Sequence, residues 1–325
     1  MSDYKTVKKK QHYVYRAYLA QWHEKNCEIH TLDLNIFEIF TKKHARETGE
    51  ERLFYKTKVD DIVYDMIVYK YHDLIKNKSK NNPIYGFIIA LKTLTKVTEY
   101  QDNQLENYDK LDIIHNNFLE NYYNDEIETL IDPVLKKFMN LKNQNYQNFL
   151  TPKDYHQLIL FIVSQSFRTK SSLDNMTQTV KDLFIKYPEK EIQLTETQVN
   201  SFHKLCAVID IWKYTEKMIK DRVKLIIYHN LTDLDFITSD QPVFIKKIKE
   251  DKFLYYFNFP LTPKFFIKVL PNKSPILKDP YSFKPIKDRS EIIKINYTIY
   301  SNAYSYAYSN DRNNLEKYKI FKKAL

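Results

Sequence analysis

The hydrophobic period of this chain changes once, near Arg222, and that change sets the class of fold open to it. From about Val59 to Arg222 apolar residues recur three and four apart, the spacing of a helical face. After Arg222 the pattern breaks into short β-prone runs separated by turn residues: Val223 to Tyr228, Asp235 to Thr238, Val243 to Ile248, Phe253 to Phe257 and Phe265 to Leu270. A chain of 325 residues is long enough to bury a sizeable core under both patterns. The expectation is an α+β fold. Its middle is predominantly helical, and a small mixed or antiparallel sheet is formed mainly by the C-terminal part.

Local signals sharpen the helices. Thr151-Pro152-Lys153-Asp154 reads as a helix start, with Thr as the N-cap and Pro in the first turn. Thr195-Glu196-Thr197-Gln198 has the spacing of a capping box. Behind it Val199, Phe202, Leu205, Val208, Ile209, Trp212 and Ile219 form an apolar stripe. Leu158, Phe161, Ile162, Leu205, Ile209 and Trp212 are expected to share one buried core. A last helix is expected near Asp288, after Pro-bearing loops from Pro271 to Pro285, with Ala303 to Tyr308 returning as a strand.

Before the helical stretch, Tyr15, Tyr18, Leu19 and Trp22 share one face of a helix expected from His12 to Trp22. Cys27 to Leu34 alternates like a strand. The resulting division is 1–57, an N-terminal helix and strand joining the C-terminal sheet; 58–222, a helical region; and 223–325, a β-rich region with a closing helix. The alternative is two separate domains with a boundary near 222. On the first arrangement the region of His12 to Leu19 touches the region of Ile237 to Pro242.

Composition excludes more than it assigns. There are two glycines, Gly49 and Gly86. A P-loop, a dinucleotide-binding turn and a kinase glycine loop all need more, so no nucleotide cofactor is expected. Two distant cysteines, Cys27 and Cys206, make neither a disulfide framework nor a Cys-rich zinc site, and point to a reducing cytoplasm. No apolar run follows the first charges, and none reaches membrane-spanning length, so neither a secretory leader nor a membrane partner is expected.

The net charge is +10. The plain account is a Lys-rich solvated surface. The functional account is a basic face for nucleic acid or another polyanion, with some of the 27 Tyr stacking on bases. The helical region could also dock a protein partner.

The candidate site residues are Asp240, His12, Arg168 and Ser239. Asp240 closes the run Ile237-Thr238-Ser239-Asp240, where an apolar stretch exits into polar residues before Pro242. Its carboxylate can act as a base, a metal ligand or simply a cap on a turn. His12 is a potential acid or base, although a lone His is more often structural. Arg168 ends an apolar helix, where it either complements the helix dipole or lines a cleft for an anion. Glu250-Asp251-Lys252 spells the E-x-K tripeptide of many nucleases, but at an expected hairpin turn. No H-E-x-x-H or G-x-S-x-G is present. A divalent metal is compatible with these residues, and which metal, if any, stays open.

Two runs, with elements between and after them, resemble a bacterial family catalogued as domain of unknown function 4238. His12-Tyr13-Val14 and Tyr18-Leu19 match its opening pattern. Arg168-Thr169 matches its mid-chain element, Ile237-Thr238-Ser239-Asp240 with Pro242-Val243 its strand exit, and Phe259-Pro260-Leu261-Thr262-Pro263 its proline segment. Tyr15 stands where the family has proline, Trp22 where it has Phe, and Lys170 where it often has Pro. No acidic residue cleanly matches the one expected after Tyr55; Asp61 and Asp65 are only nearby. The resemblance implies no activity, but it raises the interest of its recurring polar residues.

Two functions follow as expectations. One is a hydrolase of nucleic acid or another phosphate-bearing substrate. It would use Asp240 and His12 as acid, base or metal ligand, with Arg168 on the phosphate and Ser239 orienting Asp240. The other is a non-catalytic binding or accessory module, defence-related by analogy, whose polar cluster is structural.

Overall fold

The computed structural model describes residues 6–23, 28–42, 48–76, 82–102, 108–141, 146–186, 194–247, 255–271 and 279–321. Cys27 and the tripeptide Glu250-Asp251-Lys252 lie outside them. In chain order the elements begin with β1 (Lys10–His12), α1 (Arg16–Leu19), a 3-10 turn (Ala20–Trp22), β2 (Ile29–Asp33), β3 (Glu38–Lys42) and β4 (Glu50–Arg52). Helices follow: α2 (Asp61–Lys70), α3 (His72–Lys76), α4 (Pro83–Asp102) and α5 (Tyr108–Tyr123). A π-helical turn (Asn124–Glu128) leads into α6 (Thr129–Met139), then α7 (Pro152–Phe167), α8 (Lys170–Lys186) and α9 (Glu196–Lys220). The chain then forms β5 (Lys224–Asn230), β6 (Thr238–Ser239), β7 (Phe244–Lys247), β8 (Tyr255–Thr262), β9 (Phe265–Leu270) and β10 (Tyr281–Ile286). It ends in α10 (Arg289–Asn302), β11 (Tyr306–Ser309) and α11 (Arg312–Phe321).

The α+β class is as expected, and the helix starts carry the caps read from sequence. At Thr151 the hydroxyl accepts the Asp154 N–H while the Asp154 carboxylate accepts the Thr151 N–H, a complete capping box. Thr195 and Gln198 make the same reciprocal pair. Asp288 caps α10 through the Ser290 N–H. The N-terminal helix is shorter than its periodicity suggests. Residues 10–12 are extended, Tyr15 is non-helical, and only Arg16 onward coils. β10 lies where Pro-bearing loops were expected. It is an edge strand with Pro285 next to its end, a position where a missing N–H is tolerated.

The chain divides into two compact units, and neither is one continuous stretch. The first comprises 1–11, 51–126 and 171–214; the second comprises 12–50, 127–170 and 215–325. Residues 127–170, inside the stretch expected to be one helical region, thus belong to the second unit. The six residues expected to share one core are all buried, but Leu158, Phe161 and Ile162 lie in the second unit and Leu205, Ile209 and Trp212 in the first.

The first unit is built of helices around buried aromatic residues. Tyr55 packs on Tyr123 and Phe87 on Tyr122, whose hydroxyl accepts the Trp212 indole N–H at 2.9 Å. The buried Gln11 amide joins three segments, donating to the Asn116 carbonyl and accepting the Tyr55 N–H, both at 2.6 Å.

The second unit holds two sheets. One has five strands in the order β10-β5-β9-β8-β7, antiparallel except for the parallel β10–β5 pair. The other has four strands in the order β3-β2-β11-β6, all antiparallel. The early strand β2 therefore lies in a sheet with β6 and β11, more than 200 residues further on. Leu32, Phe236, Phe266, Ile292, Ala307 and Leu315 share one core between the sheets and the last helices.

Candidate functional site

The polar residues singled out in the sequence lie in the second unit, and each is placed by an element boundary. His12 ends β1, Arg168 follows the last turn of α7, and Ser239 ends β6 with Asp240 just behind it. Asp240 and Ser239 are held by backbone groups, and Arg168 and His12 face carboxylates.

Asp240 is 3 % exposed. One carboxylate oxygen accepts the Tyr304 N–H at 2.9 Å, and the other accepts those of Ser305 and Tyr306 at 2.7 and 3.1 Å. Its own N–H donates to the Tyr306 carbonyl at 3.0 Å. Three successive N–H groups at the entry to β11 thus close on one side chain. Burial pushes this carboxyl up to about 6, against the downward pull of the three amides. The turn reading expected local bonds; the bonds span more than 60 residues and tie two strands of one sheet together. The other readings took Asp240 for a base or a metal ligand; in the structure both its carboxylate oxygens are held in a backbone cradle.

Ser239 makes the local turn. Its hydroxyl donates to the Gln241 carbonyl at 2.8 Å and accepts the Gln241 N–H at 3.2 Å. It therefore does not orient the Asp240 carboxylate.

Arg168 is 1 % exposed and lines no cleft. Its guanidinium pairs with Glu128 and donates to the His12 carbonyl. Glu128 comes from the π-helical turn, a rare element that breaks the helical register and here puts a carboxylate next to the guanidinium. Burial pushes Glu128 upward, and the Arg168 charge pulls the other way. Thr169 donates its hydroxyl to the Gln241 side-chain carbonyl. The dipeptide Arg168-Thr169 thus bridges the two signature runs, reaching His12 with one residue and Gln241 with the next.

His12 presents its Nε2 3.8 Å from a Glu50 carboxylate oxygen, both side chains being mostly buried. Nearby, Gly49 at φ +60 accepts the N–H groups of Tyr13 and Val14. The buried Tyr308 hydroxyl is raised well above its ordinary range, first by burial and then by Tyr13 and Asp240.

The apolar half of the opening pattern is tied to the strand exit in the same way. The Tyr18 hydroxyl donates to the Pro260 carbonyl at 2.7 Å and lies 2.6 Å from the Thr238 hydroxyl, which donates to it in turn. The Trp22 indole N–H donates to the Phe236 carbonyl at 3.0 Å. The expected contact between His12–Leu19 and Ile237–Pro242 is therefore present.

Glu128, Glu50, Gln241 and Tyr308 were not legible as partners. Gln241 alone could have been noticed, as the variable position inside the strand-exit run. Among the described residues no group of three or more His, Cys, Asp and Glu side chains stands together to hold a metal ion. No helix among them is long and apolar enough to cross a membrane.

Neither the curated proteins nor the solved structures hold a match to this chain. A family model does match, over residues 10–313, a span that takes in every tie described above. The chain belongs to the family described as protein of unknown function (DUF4238).

Proposed function

We propose that this protein is a non-catalytic binding module whose signature polar cluster holds the fold together. One observation carries this reading. The Asp240 carboxylate is buried, and three backbone N–H groups at 2.7–3.1 Å occupy both its oxygens. A base or metal ligand needs an open face toward its substrate. Arg168 supports the same reading, since its guanidinium is spent on Glu128 and on a backbone carbonyl. Recurring residues that are buried and internally bonded serve packing and register rather than chemistry.

The competing reading is a hydrolase acting on nucleic acid or another phosphate-bearing substrate. It draws on the His12–Glu50 pair at 3.8 Å, where a carboxylate faces an imidazole as in many acid–base pairs. One experiment separates the two. The full chain is incubated with single- and double-stranded DNA, RNA and p-nitrophenyl phosphate, with Mg²⁺ or Mn²⁺, alongside Asp240→Asn and His12→Ala. The module reading expects no turnover and a lowered melting temperature for Asp240→Asn. Turnover by the wild type that either variant abolishes at unchanged melting temperature would overturn it.

A further inference from the structure

We infer that a groove in the second unit is a binding site for an uncharged oligosaccharide. This rests on the module reading and gives it a ligand. The groove runs between the edge strand β10 and the start of α7 and has a volume of about 690 Å³. That is within the size range of small-ligand sites.

Four aromatic rings line it: Tyr146, Tyr155, Tyr281 and Phe283. They are fixed in place. Tyr146 stacks on Phe283 with centroids 4.1 Å apart and planes 7° from parallel, and Tyr281 stands at 86° to Phe283. The three hydroxyls are already bonded inside the protein. That of Tyr146 meets His229 Nδ1 at 2.7 Å, that of Tyr155 donates to the Val223 carbonyl, and that of Tyr281 accepts the Leu150 N–H at 3.0 Å. A ligand therefore meets ring faces and edges rather than hydroxyls, on a platform that needs little ordering when it binds.

The polar lining is neutral apart from one carboxylate. Asn148, His156 and Ser282 offer neutral donors and acceptors, and Asp279 offers a carboxylate. His156 is exposed at the groove, and its partial burial holds the imidazole below its usual range. Among the described residues no Lys or Arg lines the groove, and Asp279 puts a carboxylate there. That carboxylate disfavours a phosphate-bearing ligand. The ring orientations also disfavour a sandwiched base. Tyr146 and Phe283 are already stacked on each other, and Tyr281 is perpendicular. A pyranose suits both features. Its C–H bonds lie on single ring faces at varied angles, positive edge against negative π-face, and its hydroxyls use amides, imidazole and carboxylate.

The test is isothermal titration of the full chain with cellotriose, maltotriose and chitotriose, and in parallel with adenosine and a dT10 oligonucleotide. At least one trisaccharide is expected to bind. Tyr146→Ala and the surface variant His156→Ala should each weaken it about tenfold. Tyr281→Phe, which keeps the ring and loses only a hydroxyl already used inside the protein, should leave the affinity within about twofold. The inference is overturned when no trisaccharide binds, when all three variants bind like the wild type, or when adenosine or dT10 is what the groove residues hold. Cleavage of a bound trisaccharide would instead sink the module reading and leave the groove assignment standing.

Discussion

Tyr18 and Thr238 lie 220 residues apart in the chain and share a 2.6 Å hydrogen bond in the core of the second unit. The same Tyr18 hydroxyl donates to the Pro260 carbonyl. Its ring lies over Phe259 at 5.1 Å and meets Trp22 edge-on at 4.9 Å. One side chain from the opening pattern thus touches both the strand exit and the proline segment. Three of the runs by which the chain resembles its family are thus in contact in space.

Tyr18→Phe should be informative for that reason. The ring contacts survive, while Thr238 and the Pro260 carbonyl lose a buried partner. Stranding such groups costs about 1–3 kcal/mol. Urea denaturation should show a lower midpoint at an unchanged slope, the mark of lost stability without a change in exposed surface. An unchanged midpoint would mean that the two groups find other partners.

The Arg168–Glu128 pair should behave as a coupled unit. Both side chains are buried, so removing one leaves the other charge without compensation. Arg168→Met or Glu128→Leu alone should cost about 3–5 kcal/mol. The double variant should cost clearly less than the sum, because it strands no charge. Arg168→Met also releases the His12 carbonyl, so it should be the worse of the two single changes. Strict additivity in the cycle would show that the pair is not coupled.

The two glycines should respond to alanine with opposite signs. Gly49 sits at φ +60, and a Cβ there would meet Val14 Cβ at 2.9 Å and Leu19 Cδ1 at 3.0 Å. Gly49→Ala is strained in both backbone and packing and should cost about 2 kcal/mol or more. Gly86 lies in α4 with nothing within 4 Å of an added Cβ. Gly86→Ala should stabilise by about 0.5–1 kcal/mol through helix propensity alone. Melting curves of the two variants decide this directly.

How much of this was legible in the sequence depended on the range of the interaction. Caps at Thr151 and Thr195, and a helix start near Asp288, were readable because each is satisfied within three residues. The α+β class was readable because periodicity is a local property. The position of Asp240 as a recurring polar residue was also readable, but not what it bonds. Its partners are backbone amides 64–66 residues away, and an amide carries no side-chain signature. Glu128 was hidden for a related reason. It is one carboxylate among many in a helical stretch, and only the π-helical turn puts it against Arg168. The burial of Leu158, Phe161, Ile162, Leu205, Ile209 and Trp212 was readable too, because period identifies a buried face, although it does not say to which unit each belongs.

The pH response of Asp240 follows from its cradle. Its folded value is raised to about 6, above the ordinary value near 4 in an unfolded chain. Between those two values the folded state binds the proton more tightly than the unfolded state. The contribution of this group to stability is therefore fully present below about pH 4 and is lost as pH rises through about 6. The size is a few kcal/mol at most for a shift of this order. Other buried carboxyls are shifted as well. Burial raises Glu128 in the same direction as Asp240, while Asp154, lowered overall by Lys137 and Thr151 in spite of burial, works in the opposite direction and at lower pH. The signal is therefore the difference between the wild type and Asp240→Asn in unfolding free energy, followed from pH 4 to pH 7. That difference should shift against the wild type as pH rises, while Asn, with one acceptor oxygen in place of two, keeps the variant less stable at pH 4. Carbon-13 NMR of the Asp240 carboxyl gives the titration itself. A midpoint near 6 is expected; one below 4 would show that the three amides outweigh burial and would reverse the sign of the pH dependence.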